Sequence, residues 1–308
     1  LDPEKGTGTA KPEDGRAAVT VTGQEIDLRL STFPTQEGEK AVLRILPRKA
    51  DLPTLGQLGL RPEDVKRVES IIRLPQGMII VTGPTGSGKS TTLYTILQTV
   101  NEATRHIITL EDPVEKRLPG VTQGLLQPKV GFTFSVGLRA MLRQDPNIIM
   151  VGEIRDKETA EIAMSAALTG HMLFTTLHTN SALGAVTRLL DMGLEPFLIS
   201  SALTAVFAQR LARKLCAACR QAGPATSAEL VEIEALSRRA GTPPPPGLAQ
   251  KVFRPHGCAQ CRESGYSGRQ LIFEAVRVTP PLRQLMLSKA SEEQIRQAAL
   301  KEGAEFLL

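Results

Sequence analysis

Eight residues, Gly83-Pro84-Thr85-Gly86-Ser87-Gly88-Lys89-Ser90, fit the spacing G-x-x-x-x-G-K-[ST]. A strand-like run, 78–82, precedes them and a helix-like run, 91–97, follows. A triphosphate needs many hydrogen-bond donors in a small space. Glycines let the backbone wrap the β-phosphate, and the N–H groups at a helix start point at it. Lys89 then reaches the β- and γ-phosphates, the Ser90 hydroxyl holds Mg²⁺, and Thr91 closes the nucleotide-binding set. A Gly-rich turn ahead of a helix is the plainer reading. Three glycines, the Lys-Ser pair and both flanks weigh against it, and the spacing predicts binding of ATP or GTP.

Hydrolysis needs carboxylates that hold Mg²⁺ and orient an attacking water. Two acidic clusters follow candidate strands: Glu111, Asp112 and Glu115 in the first, Glu153 and Asp156 in the second. In a parallel sheet these strand ends share an edge with the phosphate loop. Acidic residues also end strands and cap helices for structural reasons alone. Two clusters downstream of a phosphate loop favour chemistry, with Glu153 the candidate for polarising water or organising the Mg²⁺ shell. His171 and His178 bracket the run 172–177. Sensing of the γ-phosphate and plain packing both stay open for them. Arg139 and Arg143 lie four apart on one helical face, where they are either solvated or placed to neutralise charge in the transition state.

All four cysteines fall into two C-x-x-C pairs, Cys216/Cys219 and Cys258/Cys261. Two such knuckles supply the thiolates of a tetrahedral Zn²⁺ site, structural because it leaves no open position. Residues 220–257 exceed the spacing of a compact zinc ribbon, so a helix and a proline tract must loop out. A redox dithiol is the rival, which two pairs and no other cysteine disfavour. His256 is an alternative ligand.

The elements that position these groups read as α/β. Candidate strands at 78–82, 106–110, 147–151 and 172–176 alternate with helical patterns, which implies a mostly parallel sheet with helices on both faces. Upstream, 17–22, 24–30 and 40–46 read as strands of a small α+β domain, with Ile26, Leu28 and Leu30 on one face and Asp27 and Arg29 on the other. We divide the chain into the remainder of that domain (1–50), a flexible Pro/Gly-rich linker (51–62), the core (63–215), a tetracysteine segment (216–265) and a helical C-terminal region (266–308). The segment 242–247, with four consecutive prolines, must be exposed and extended.

With 308 residues, 41% hydrophobic and 22% charged, the composition is that of a globular protein of about two domains. The net charge of +5 permits an acidic partner without requiring one. No apolar run approaches the ~18 residues of a membrane span, and no signal peptide is visible. The chain opens on Leu1 in a polar stretch, so we expect an N-terminal region beyond it.

Taken together the motifs resemble the secretion ATPase superfamily, in particular the type II secretion and type IV pilus assembly ATPases, over nearly all of 15–308. The phosphate loop runs on into Thr91-Thr92-Leu93; Ile108 to Glu115 match the Asp box, Gly137 to Asp156 the Walker B region, and Thr169 to Asn180 the His box. The resemblance implies a P-loop (RecA-like) ATPase core with a small N-terminal α+β domain and a C-terminal Zn-binding subdomain. It implies a homohexameric ring, cytoplasmic and peripheral to the inner membrane, acting on a membrane platform protein. It assigns Glu153 as the Walker B glutamate, Glu111 and Glu115 as acidic Asp-box residues, and His171 and His178 as the His-box residues. Arg29 and Arg44 match N-terminal-domain arginines that reach the phosphates, with Arg139 and Arg143 as further candidates. The paired cysteines look like the metal subdomain of assembly ATPases, which retraction ATPases typically lack. Ser181 departs from a common Asp and Lys116 from a common aromatic residue.

Pilus assembly is the leading expectation, type II protein secretion the alternative, and a DNA-transfer ATPase the third. No basic run interleaved with aromatics supports direct nucleic-acid binding. A nucleotide-gated scaffold is the non-enzymatic option, against which intact Lys89, Ser90 and Glu153 argue.

Overall fold

The computed structural model describes residues 11–22, 24–47, 52–240, 243–244 and 246–306. Residues 1–10, Gly23, the 48–51 part of the expected linker, positions 241–242 and 245 around the proline tract, and 307–308 lie outside the described residues. The chain divides into two compact units: Leu1–Leu52 with Glu115–Arg117, and Pro53–Val114 with Leu118–Leu308.

In the first unit, β1 (Asp14–Val21), β2 (Gln24–Thr35) and β3 (Gly38–Pro47) form an antiparallel meander. The period of two in β2 puts Leu28 and Leu30 on one face, opposite Ile45 and Leu43 of β3. The other face carries Arg29, directly opposed by Arg44 in β3.

The second unit begins earlier than the sequence suggests. Leu55 and Leu60 are buried, so the stretch read as a flexible linker is packed from Pro53 onward. Helix α1 (Pro62–Ile72) opens on a proline with Glu63 and Asp64 in its first turn and buries Val68, Ile71 and Ile72; proline suits that position and acids suit the helix dipole. Strand β4 (Gly77–Thr82) is buried at every residue, as a central parallel strand covered on both faces must be. There follow α2 (Lys89–Val100), β5 (Ile107–Glu111), β6 (Thr122–Leu125), α3 (Phe134–Met141) and β7 (Ile148–Val151). Next come α4 (Lys157–Leu168), β8 (Met172–Leu177), α5 (Ala182–Asp191), α6 (Pro196–Ala202) and β9 (Leu203–Leu215). The last section holds β10 (Gln221–Gly223), α7 (Ser227–Ala240), β11 (Val252–Arg254), β12 (Tyr266–Arg277), α8 (Pro280–Leu287) and α9 (Glu292–Lys301).

The main sheet runs β12-β9-β4-β8-β7-β5-β6. Every pairing is parallel except that of β12 with β9. Side-chain caps start two of the helices that follow sheet strands: Asp156 accepts from the Thr159 N–H at 2.8 Å for α4, and Ser181 from the Gly184 N–H at 3.0 Å for α5. Serine and aspartate cap equally well, so the departure at Ser181 preserves the local physics.

Strands β6, β9 and β12 correct the sequence reading, and with them the expectation that 266–308 is helical throughout. The inner half of β9 is buried on both faces, from Ala205 to Gln209, so no alternation betrays it as a strand.

Candidate active site

The phosphate loop leaves the carboxyl end of β4 and turns directly into α2. Gly88 caps that helix with φ of 91° and Lys89 is its first residue, so the first-turn N–H groups lack intrahelical partners and face the loop. Pro84, Thr85 and Gly86 are exposed at the tip, whereas Gly83, Ser87 and Lys89 are buried. The Lys89 ammonium donates to the carbonyls of Gly83 at 2.9 Å and Pro84 at 3.2 Å. Burial pulls its pKa down, and the nearby Glu153 carboxylate opposes that.

Parallel register brings the other groups to the same edge. Thr82 is level with Leu177, and Val151 with both Leu110 and Thr175. Glu111, Glu153 and His178 therefore all leave strand ends beside the loop. Glu153 is fixed by its neighbours: the Gly152 carbonyl accepts from the Thr176 hydroxyl at 2.7 Å, and the Ile154 N–H donates to the Thr176 carbonyl at 3.2 Å. One carboxylate oxygen of Glu153 accepts from Arg155 at 2.6 Å, and the other lies 3.7 Å from His178 Nε2. Arg155 also reaches Asp112 at 3.5 Å, so it joins the two acidic clusters. Its hydrogen bond to Glu153 raises its pKa further.

A second knot holds the loop's root. The Thr82 hydroxyl contacts the Thr179 hydroxyl at 2.7 Å and accepts from the Thr179 N–H at 2.9 Å. It pins the segment containing His178 to the end of β4. Thr82, Thr176, Thr179 and Arg155 escaped the sequence reading, since strand-end threonines look like ordinary strand formers.

The remaining candidates separate. Glu111 is buried and accepts from Tyr94, from Thr109 at 2.5 Å and from Gln123 at 3.1 Å. It braces α2 to β5 from the strand end where the acidic Asp-box role is expected. Glu115 groups with the first unit and is exposed. His171 is a correction: its carbonyl accepts from the Gly77 N–H at 3.1 Å, at the amino end of the sheet. The six residues of β8 put it roughly 20 Å from the phosphate-loop edge. Arg139 pairs with Glu158 at 2.9 Å, and Arg143 is exposed in the turn leading to the amino end of β7. Among the described residues neither arginine has a side-chain hydrogen bond or ion pair with the phosphate loop. Arg29 and Arg44 oppose each other in the first unit, an arrangement of like charges that costs stability.

The four cysteines form one cluster, their sulfurs all within 4.8 Å of one another. Three of the separations are 4.0, 3.8 and 3.7 Å. A tetrahedron with zinc–sulfur bonds of about 2.3 Å has edges of about 3.8 Å, so the donor set fits that ion. Backbone N–H groups already serve the sulfurs: Cys258 and Gly265 donate to Cys261 at 3.2 Å each, and Gly257 to Cys219 at 3.4 Å. Burial pushes the Cys261 thiol up, but those N–H groups and the Cys258 and Cys219 thiols outweigh it and bring it to about 6. The Gly257 N–H pulls Cys219 down, while burial and the neighbouring thiols drive it to about 11. His256 is exposed and is not in the cluster.

Residues 7–307 match the family model "Type II/IV secretion system protein". The chain is 48% identical over 294 residues to type II secretion system protein E of Pseudomonas aeruginosa, covering 95% of this chain and 56% of that protein. It is 46% identical to type II secretion system ATPase E of Vibrio cholerae, over 92% of this chain and 54% of that one. It thus spans little more than half the length of these relatives. Among solved structures, the pilus retraction motor PilT with bound ADP shares 28% identity at a TM-score of 0.61, covering 94% of this chain and 74% of that chain. The ATPase DotB of Legionella pneumophila shares the fold at 22% identity and a TM-score of 0.64, over 96% of this chain and 70% of that one. These relatives overturn the leading expectation of pilus assembly, because the high-identity matches are named for type II secretion. The motifs could not separate the two, since they encode nucleotide chemistry common to both machines.

Proposed function

The chain belongs to the type II/IV secretion system protein family, and from that premise we propose that it hydrolyses ATP to drive type II protein secretion. The observation that carries the reading is the meeting of the Lys89 loop and the Glu153 carboxylate at one sheet edge, where the nearby charge of Glu153 opposes the lowering of the Lys89 pKa. In the proposed reaction the loop N–H groups and Lys89 hold the β- and γ-phosphates. Glu153 orients the attacking water and takes its proton, and His178 stands beside Glu153 to answer the γ-phosphate. The Ser90 hydroxyl would hold Mg²⁺, which supplies charge neutralisation between the phosphates. Arg29 and Arg44, whose like charges face each other, are proposed to answer an anion.

Cys216, Cys219, Cys258 and Cys261 would hold one structural Zn²⁺. The family resemblance supports a homohexamer at the cytoplasmic side of the inner membrane, working on a platform protein. Among the described residues no helix is long and apolar enough to cross a membrane, in keeping with peripheral attachment.

Phosphate release by the purified protein tests the proposal. Lys89→Ala should lower it by at least about 100-fold, the scale for losing a transition-state charge stabiliser. Glu153→Gln should still bind ATP but lose about 100-fold or more of turnover. Wild-type turnover in the Glu153→Gln protein would remove that residue from the mechanism.

A further inference from the structure

The role of Gln209 is written nowhere in the phosphate-loop motif, yet this residue touches the loop at three places. Its side-chain amide donates to the Ser87 carbonyl at 2.8 Å. A Cβ on Gly83 would come within 2.3 Å of the Gln209 carbonyl, and one on Gly88 within 3.3 Å of its Nε2. Parallel pairing explains the contact. Ala208 in β9 is level with Thr82, the last residue of β4. There β4 turns away into the loop while β9 runs straight on, so the next residue, Gln209, meets the loop in place of a strand partner.

Gln209 is fully buried, and its Oε1 has no hydrogen-bond partner among the described residues; the Ser87 hydroxyl is likewise buried and unpartnered. An unused buried acceptor is costly, and a leucine or methionine would fill the same space without it. What the amide contributes is a donor for a loop carbonyl that would otherwise be buried alone.

The same strand leads to the cysteines. Beyond Gln209, β9 continues to Leu215 against β12, and the next residue is Cys216. Strand β12 starts at Tyr266, five residues after Cys261. Arg210, Arg213, Lys214, Ser267, Gly268 and Arg269 are exposed along this two-stranded stretch. An isolated pair of strands is marginal in water, so the sulfur cluster acts as the clasp on its open end. We propose that Gln209 is a positioning residue of the phosphate loop, and that through it metal at the four cysteines and nucleotide at the loop are thermodynamically linked. The inference rests on the functional reading above, which fills both sites. Linkage is reciprocal: metal strengthens nucleotide binding, and nucleotide slows metal loss.

The test uses the zinc-loaded chain, a fluorescent ADP analogue for affinity and a chromophoric chelator for the zinc release rate. Gln209→Met keeps the packing and removes the donor; Gln209→Ala serves as a second variant. In the wild type, saturating ADP should slow zinc release by about threefold or more. Both variants should bind ADP about tenfold more weakly, the scale of one lost hydrogen bond to a buried carbonyl. They should carry one zinc and release it at a rate indifferent to saturating ADP. Wild-type affinity in Gln209→Met, or zinc release indifferent to ADP in the wild type, would overturn the inference while leaving the functional reading intact. A wild-type chain that takes up neither ADP nor zinc would overturn both.

Discussion

The phosphate loop and the cysteine cluster flank the same stretch of β9, and they are held in opposite ways. The loop is fixed from outside itself: β4 feeds it, Gln209 bonds its Ser87 carbonyl, and Thr82 locks its root to Thr179. Its donors are backbone N–H groups, which a side-chain change leaves in place. The cluster is fixed by its own donors. Its four sulfurs lie within 4.8 Å of one another at the tip of a two-stranded ribbon, and three N–H groups reach two of those sulfurs. A site built from packing keeps its shape without a ligand, whereas one built from ligating side chains depends on its ion. The loop should therefore be sensitive to sterics and the cluster to metal.

The largest effect is expected from Gly83→Ala. The new Cβ would sit 2.3 Å from a backbone oxygen and 2.6 Å from the Ser87 hydroxyl, at a φ of +148°. Neither the carbonyl nor the dihedral can yield cheaply, so nucleotide binding should vanish and stability should fall by roughly 3 kcal/mol or more. Gly86→Ala is the control: at φ +78° with nothing within 4 Å, it should cost only about 1 kcal/mol. Thermal unfolding of the nucleotide-free proteins separates them, and equal destabilisation would mean that packing does not shape the loop.

Next comes the cluster. Cys261→Ser should lower zinc from one per chain to near none by elemental analysis. Limited proteolysis should then cut within 216–265 while 77–177 stays protected, since only the ribbon loses its clasp. Cleavage spread evenly over both regions would mean that the cysteines stabilise the whole unit and that the contrast is false.

How much of this was readable from sequence follows the same division. The loop is contiguous, so its eight residues and their flanks sufficed. The cysteine pairs were readable from spacing alone, although the strands that carry them were not: β9 is buried on both faces inside and basic outside, and neither half alternates. Glu153 was found because it ends an apolar run, but its orientation depends on Thr176, which is remote in sequence. His171 was misplaced because a motif holds it near His178 in sequence, while a strand carries the two to opposite edges. The pairing of Arg29 with Arg44 needed the register, which no single strand reveals.

The smallest effect should come from Arg155, and it tests whether exposure sets the limit. Arg155 lies 2.6 Å from Glu153 and 3.5 Å from Asp112, but its side chain is 56% exposed. An exposed ion pair contributes about 0.2–1 kcal/mol, which in rate is at most about fivefold. Arg155→Ala should therefore lower turnover by roughly two- to fivefold and leave the KM for ATP and the zinc content unchanged. Glu153 would keep its backbone anchors through Gly152 and Ile154, and these should carry most of its orientation. Arg155→Lys should recover part of the loss. Salt supplies an independent check, because screening weakens exposed pairs most: at about 1 M salt the wild type should approach the Arg155→Ala rate. If Arg155→Ala were instead as inactive as Glu153→Gln, an exposed contact would be acting with the weight of a buried one. Arg155 would then have to meet the reacting phosphate itself, and the division between a packed loop and a ligand-built cluster would need a third category.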